Sequence, residues 1–358
     1  VLDIGSGSFR DPKVFWHTAS SQWIMAVVLA SECQVQFYGS PNLLAWSYLS
    51  DFGPCGNMEG EWECPDLFPL TLGDGSNRRK WILKVDNTLS GVAGGSGGQY
   101  FVGEFDGTRF ISDSASNQAI DDGMPIDYGS DFYAAMTWSN LPANGRRLWL
   151  AWMSNWLYAS STPTHPWRCV QSSPRSLHLV STNAGLRLAQ RPAEELEQLR
   201  RRHRRWNSVE LTHEKPLLLE DSSSETLELA LQIAVDPDAL IALHFLRSSG
   251  STTTVSFDNK SSELMVDRRR TAAVPFHPGF SACHRGPLRS AEGLVNIHVL
   301  LDHCCLEVFG GQGETVITDL VFPDGNPGGV TVTCDRGAAV IETLDLWHLD
   351  ASHERATP

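Results

Sequence analysis

Hydrophobic positions in the first half of the chain come in short bursts. WIMAVVLA (Trp23 to Ala30), CQVQFYGS (Cys33 to Ser40), RKWILKVD (Arg79 to Asp86), GQYFVGEF (Gly98 to Phe105) and RLWLAWMSN (Arg147 to Asn155) have strand length. They are rich in β-branched and aromatic residues, which suit a pleated, half-buried surface. Gly, Asn, Asp and Pro punctuate them, as turns require. No stretch before about residue 185 carries a convincing helical period. Short strands with turns roughly every ten residues predict a propeller or a sandwich. Five propeller blades of four strands need roughly 20 strands, and these residues supply about three blades and part of a fourth.

Residues 191–206, RPAEELEQLRRRHRRW, read as the one helix, with acids leading and bases following as the helix dipole prefers. Its basic run, Arg200 to Arg205, reads as a solvated linker face in so acidic a chain. Beyond it the strand pattern resumes, as in TLELALQIAV, ALIALHFLR, LVNIHVLLD, CLEVFG and AVIETLDLWHL. Leu227, Leu229 and Leu231 recur at every second position, the mark of a half-buried strand. About nine such segments predict a two-sheet sandwich. The expected organisation is an all-β domain over 1–190, a linker helix over 191–206 and a sandwich over 207–358.

Charge and composition narrow the classes. A net charge of −14 speaks against nucleic acid. No run of 18 apolar residues predicts a membrane span, and no secretory leader opens the chain as given. Ten of the 12 Trp lie at or before Trp167, where they can stack on sugar rings or fill a β core. The eight cysteines show no metal spacing and read as free thiols or one incidental disulfide. Cys304 and Cys305 are adjacent, so on a strand they would point to opposite faces. The 12 histidines show no HExxH pattern, and GVAGGSGGQYF lacks the Lys-Ser/Thr of a phosphate loop. No metal and no cofactor is expected.

Two carboxylates stand out. Asp11 lies in FRDPKVFWH and Glu63 in GEWECPDLFPL, each among aromatic residues and just ahead of a Pro that interrupts pairing. Acids seldom sit among aromatics without a partner or a task. A pair of them suits sugar chemistry, where one protonates the leaving oxygen and another meets the developing cation. The plain alternative is that both are ordinary turn and strand-end acids.

These two segments resemble signature segments of glycoside hydrolase family 32, the invertases, inulinases and levanases. GGSGGQYFVGEFDGTRF, DYGSDFYAAMTWSN, LAWMSNWLYASSTPTHPWR and LEVFGGQGE resemble later segments of the family in the same order. The resemblance spans nearly the whole chain and leans to the fungal exo-inulinase and invertase branch. It implies a five-bladed β-propeller followed by a β-sandwich, and a retaining mechanism with three acids. By that resemblance Glu63 is the general acid/base and Asp11 the transition-state stabiliser that bonds fructose hydroxyls. Arg10, Trp156 and Asp127 are the implied substrate-binding residues. The implied partner is sucrose or a fructan, and the implied location is extracellular.

One family segment is missing. The nucleophile is expected in a segment like WMNDPNG ahead of FRDP, and nothing in this chain matches it. The one earlier acid is Asp3, in VLDIGSGS. The propeller is therefore expected to be N-terminally incomplete, with its first blade absent, and activity to be impaired. Two functions follow as expectations: a β-fructosidase that cleaves terminal β-D-fructofuranosyl residues, or a non-catalytic, vestigial fructan-binding relative.

Overall fold

The computed structural model describes residues 1–113, 123–139, 145–272 and 276–351. The chain is nearly all β and divides into two compact units. The first holds Val1–Leu157 and Val170–Ala189; the second holds Tyr158–Cys169 and the chain from Gln190 onwards.

Three blade-like antiparallel sheets make up the first unit among the described residues. Blade A runs through Phe9–His17, Gln22–Leu29, Gln34–Ser40 and Ser47–Phe52. Blade B runs through Trp62–Thr71, Arg79–Asn87, Gly97–Phe105 and Phe110–Ser112, with Met124–Pro125 added on Gly97–Phe105. Blade C runs through Tyr133–Thr137, Arg147–Met153, Arg175–Thr182 and Gly185–Pro192, with Val170–Gln171 beside Arg147–Met153. Each blade is a meander in chain order, the propeller arrangement.

Side-chain alternation sorts the core. Ile24, Ala26, Val28 and Phe37 of blade A pack with Trp62, Leu83, Val85 and Phe101 of blade B. Ile82, Tyr100 and Val102 point to the other face of blade B and meet Phe132, Trp149 and Leu177 of blade C. Blade B is thus buried on both faces, which is why WILKV in its second strand reads as an almost continuous apolar run.

The second unit is a sandwich of two six-stranded antiparallel sheets. One, sheet D, has the order Arg200–Leu211, Ala339–Leu349, Leu227–Val235, Leu294–Asp302, Cys305–Gly310, Thr315–Leu320. The other has the order Leu217–Leu219, Pro327–Arg336, Leu240–Arg247, Thr252–Asp258, Glu263–Arg270, Cys283–Pro287. Propeller blades followed by a β-sandwich is the expected fold class.

One expectation fails. Residues 191–206 are not a helix: Glu194–Leu199 forms a short 3₁₀ turn, and Arg200–Leu211 is a strand paired along Ala339–Leu349. Long-range pairing overrides the local charge pattern, because the basic residues find acids across the ladder, Arg205 on Asp345 and Arg200 on Glu228. Cys304 and Cys305 do not bond each other, although Cys304 lies outside the strand that Cys305 opens. Cys304 ends a turn, and the two sulfurs approach to 3.7 Å as thiols.

Candidate active site

The first strands of the three blades share one irregularity. Pairing slips between Arg10 and Lys13, between Glu63 and Asp66, and between Tyr133 and Met136. At each slip one non-glycine residue takes a left-handed backbone: Asp11 at φ 60°, Cys64 at φ 48° and Ala134 at φ 54°. Sequence explains two of the three, since Pro12 and Pro65 supply no N–H to the ladder. A bulge re-aims the side chains beside it, and such devices gather at active sites.

The three bulges are tied together. The Cys64 N–H donates to Asp11 Oδ2 at 3.0 Å. Lys84 Nζ donates to the Cys64 carbonyl at 3.1 Å and pairs with Asp86. Asp86 in turn accepts the N–H of Ala134. Lys84 and Asp86 are fully buried, so this chain of bonds is a rigid support beneath the surface. A second belt lies one turn of the pleat further along. Lys13 Nζ donates to the Thr137 carbonyl at 2.6 Å, and the Thr137 N–H donates to Asp66 Oδ2 at 2.7 Å.

Above this support Glu63 is held on both oxygens. Arg10 donates to Oε1 at 3.0 Å and the Tyr133 hydroxyl donates to Oε2 at 2.5 Å. The same Arg10 nitrogen reaches Glu61 Oε2 at 2.6 Å. The Glu63 side chain keeps 21% exposure, so a ligand can reach it. Tyr133 packs edge-on to Trp152 and Trp156, whose rings lie 4.8 Å apart, and Trp156 is 59% exposed. An open aromatic face beside paired acids is what a sugar ring needs.

Proton affinities follow from burial. Burial first, then the negative Asp86 and Glu63, push the Tyr133 hydroxyl far above its usual range, so it stays a donor to Glu63. Burial also pushes the Cys64 thiol up to about 12, which keeps it neutral and unsuited to nucleophilic attack. Burial raises Asp86 to about 7 against the pull of Lys84.

The structure thus brings Arg10, Asp11 and Glu63 together and sets Trp156 on the aromatic wall. Asp127 is placed differently. It is buried, accepts from Arg175 NH1 at 3.1 Å and from the Gly129 N–H at 2.8 Å, and so anchors the DYGSD loop. The Ser130 carbonyl of that loop accepts from Asn155, next to Trp156. Asp3 caps a local turn through the Gly5 N–H. Sequence reasoning passed over Glu61, Tyr133, Lys84 and Asp86. Lys84 had a signal, a cation in the middle of the apolar run WILKV. No group of three His, Cys, Asp or Glu able to hold a metal ion occurs among the described residues.

Known proteins decide the family. Residues 2–192 match the Glycosyl hydrolases family 32 N-terminal domain, and residues 195–348 match the Glycosyl hydrolases family 32 C terminal domain. The chain belongs to this family. It is 38% identical to a levanase of Bacillus subtilis, covering 96% of this chain and 50% of the levanase. It is 32% identical to an extracellular exo-inulinase of Aspergillus ficuum, covering 96% of this chain and 65% of that protein. The crystal structure of exo-inulinase from Aspergillus awamori superposes with a TM-score of 0.87 at 30% identity, over 96% of this chain and 68% of that one. The chain therefore spans half to about two thirds of the length of these relatives.

Proposed function

We propose that this family 32 chain acts on terminal β-D-fructofuranosyl groups of sucrose or a fructan, with Glu63 as general acid/base and Asp11 as transition-state stabiliser. The observation that carries the reading is Glu63, bonded by Arg10 and Tyr133 and open to solvent beside Asp11 and the Trp152–Trp156 wall. The levanase and exo-inulinase relatives, by name, act on fructose polymers. Arg10 and Trp156 contact the sugar in this reading, and Asp127 serves through the loop that braces Asn155 beside Trp156.

Glu63 protonates the departing oxygen and then takes a proton from water, as a general acid/base does. Tyr133 and Arg10 fix its orientation in both states. Asp11 offers a carboxylate to the ring hydroxyls and to the positive charge that grows at the anomeric carbon. A retaining route also needs a nucleophilic carboxylate about 5 Å from the acid. No segment of this chain matches the family's WMNDPNG pattern, so turnover by these 358 residues alone is expected to be slow. The protein is expected to act outside the cell, as its exo-inulinase relatives are named extracellular.

The test pairs binding with turnover. Fructose release from sucrose, inulin and levan is measured, and short fructans are titrated against the chain and its Asp11→Ala and Glu63→Gln variants. Binding that falls with Asp11→Ala and survives Glu63→Gln supports the assignment. Binding indifferent to Asp11 overturns it. Binding with no fructose release under any condition favours the fructan-binding alternative.

A further inference from the structure

The second unit carries a hollow of about 330 Å³ on the outer face of sheet D, its lining more apolar than polar, at the lower end of small-molecule sites (about 300–1,000 Å³). Its floor is Ala230, whose register partners are Asp345 on one side and His298 on the other. A methyl group among long neighbours leaves a depression in the sheet. Gln232, Asn296 and Thr343 ring one end, and Phe309 lies at the edge. The turn Gly311–Gly313 and the segment Arg191–Pro192 form a wall, fixed by Arg191 Nε donating to the Gln312 carbonyl at 3.0 Å and Gln190 N–H donating to the Gly313 carbonyl at 2.8 Å.

The polar groups here are prearranged. Arg205 forks onto Asp345 with both bonds at 2.7 Å, and His203 Nε2 adds a third at 2.6 Å. Arg200 forks onto Glu228 with both bonds at 2.7 Å, and Glu228 accepts from His298 Nε2, also at 2.7 Å. With Nε2 on Glu228, the other ring nitrogen of His298, Nδ1, is left for a further partner. Gln232 Nε2 reaches Asn296 Oδ1 at 3.4 Å, which leaves the Gln232 carbonyl and the Asn296 amide nitrogen for other partners. The hollow therefore mixes acceptors and donors on fixed supports, and the carboxylate that lines it, Asp345, already has an arginine.

We propose that this hollow is a second ligand site and that it takes one or two units of a neutral oligosaccharide. Hydroxyl groups both donate and accept, so they match a mixed ring of Asp345, His298, Gln232, Asn296 and Thr343 better than an ion of either sign does. Ala230 and the Phe309 edge supply the small apolar patch that a sugar's C–H face covers. The hollow uses no residue of the acid site, and the proposal stands apart from the reading of Glu63 and Asp11. An oligosaccharide bound there is held by the second unit alone.

The test uses the full chain. Inulin-type, cello- and malto-oligosaccharides are titrated by calorimetry and saturation-transfer NMR against wild type, Ala230→Phe, the Gln232→Ala/Asn296→Ala pair, and Asp11→Ala. Ala230→Phe fills the depression from the outer face. The expected result is that at least one series binds, that Ala230→Phe weakens it about tenfold or more, and that Asp11→Ala leaves this component intact. If Ala230→Phe fails to fold, the surface pair carries the same expectation. Binding of no series, or binding lost with Asp11→Ala and untouched by the hollow variants, overturns the proposal. Failure of the acid-site reading shows separately, as indifference to Asp11.

Discussion

Arg10 and Arg200 each hold glutamates, and the difference between them bears on the role proposed for Glu63. Arg10 stands on a broken ladder and shares one nitrogen between Glu61 and Glu63. Glu63 has its second oxygen on a phenol and one side open to solvent. Arg200 stands on a strand whose pairing with Ala339–Leu349 slips only at its start, and it forks onto both oxygens of a buried Glu228 while lying 4.2 Å over Trp347. Although burial pushes the Glu228 carboxyl up, Arg200 and His298 pull it down to about 2. A permanently ionised, fully forked carboxylate can fix a geometry or bind, and it is a poor proton donor. A carboxylate shared between a guanidinium and a phenol, and open to a ligand, has the setting that the proposed acid/base role of Glu63 needs.

The largest effect expected from this contrast is at Glu63. In a longer chain that adds a segment like WMNDPNG ahead of Val1, Glu63→Gln should lower fructose release by about 10²–10⁴-fold with binding retained. Glu228→Gln in the same chain should leave the rate constant within about twofold. Equal losses from the two substitutions, read as kcat on sucrose, would erase the distinction.

Next comes the support beneath the site. Lys84→Met leaves Asp86 buried without its cation, and breaking such a pair costs about 3–5 kcal/mol. Replacing both partners, Lys84→Met with Asp86→Leu, should recover most of that loss in urea unfolding. The pH dependence has a definite sign. Folding raises Asp86 to about 7 from an ordinary value near 4, so its contribution is full below about pH 4 and lost as pH rises through 7. Asp86→Asn should flatten the stability profile in that window; a profile unchanged by Asp86→Asn would mean that the carboxyl is ionised throughout.

Glu228 shows the opposite sign at smaller size. Its folded value of about 2 lies below the ordinary carboxylate range, so its contribution is present above about pH 4.3 and lost as pH falls through 2. Glu228→Gln should cost roughly 2–3 kcal/mol at pH 7, and the deficit should shrink toward pH 2. A constant deficit across that range would assign the loss to packing against Trp347 instead.

How legible each region was follows from the same contrast. RDP and ECP announced the bulges, because a Pro after an acid or a thiol is visible in sequence and stops a ladder. The bulge at Ala134 carries no Pro, and nothing beside Tyr133 in the sequence marks it. Lys84 and Asp86 look like alternating strand residues until the packing of blade B on both faces makes them interior. The basic strand from Arg200 was misread as a helix because its partners, Glu228 and Asp345, lie 28 and 140 residues away from the arginines they hold. The hollow on sheet D depends on Ala230 standing across two registers, which no local pattern reveals.

The smallest effect concerns Asp11, where backbone and charge can be pulled apart. Asp11 holds a left-handed φ of 60° and accepts the Cys64 N–H. Asn tolerates that backbone and keeps a side-chain oxygen for the same bond, whereas Ala does neither. Asp11→Asn should therefore stay within about 0.5 kcal/mol of wild type in urea unfolding. Asp11→Ala should lose about 1–2 kcal/mol, from the left-handed backbone and the lost hydrogen bond together. Both remove the carboxylate, so both should weaken fructosyl binding alike. If Asn and Ala are equally stable, the bulge is held by Pro12 and the blade around it, and Asp11 is there for its charge alone. If Asn restores binding as well as stability, the group that matters is a hydrogen-bond acceptor, and the stabiliser role assigned to Asp11 falls.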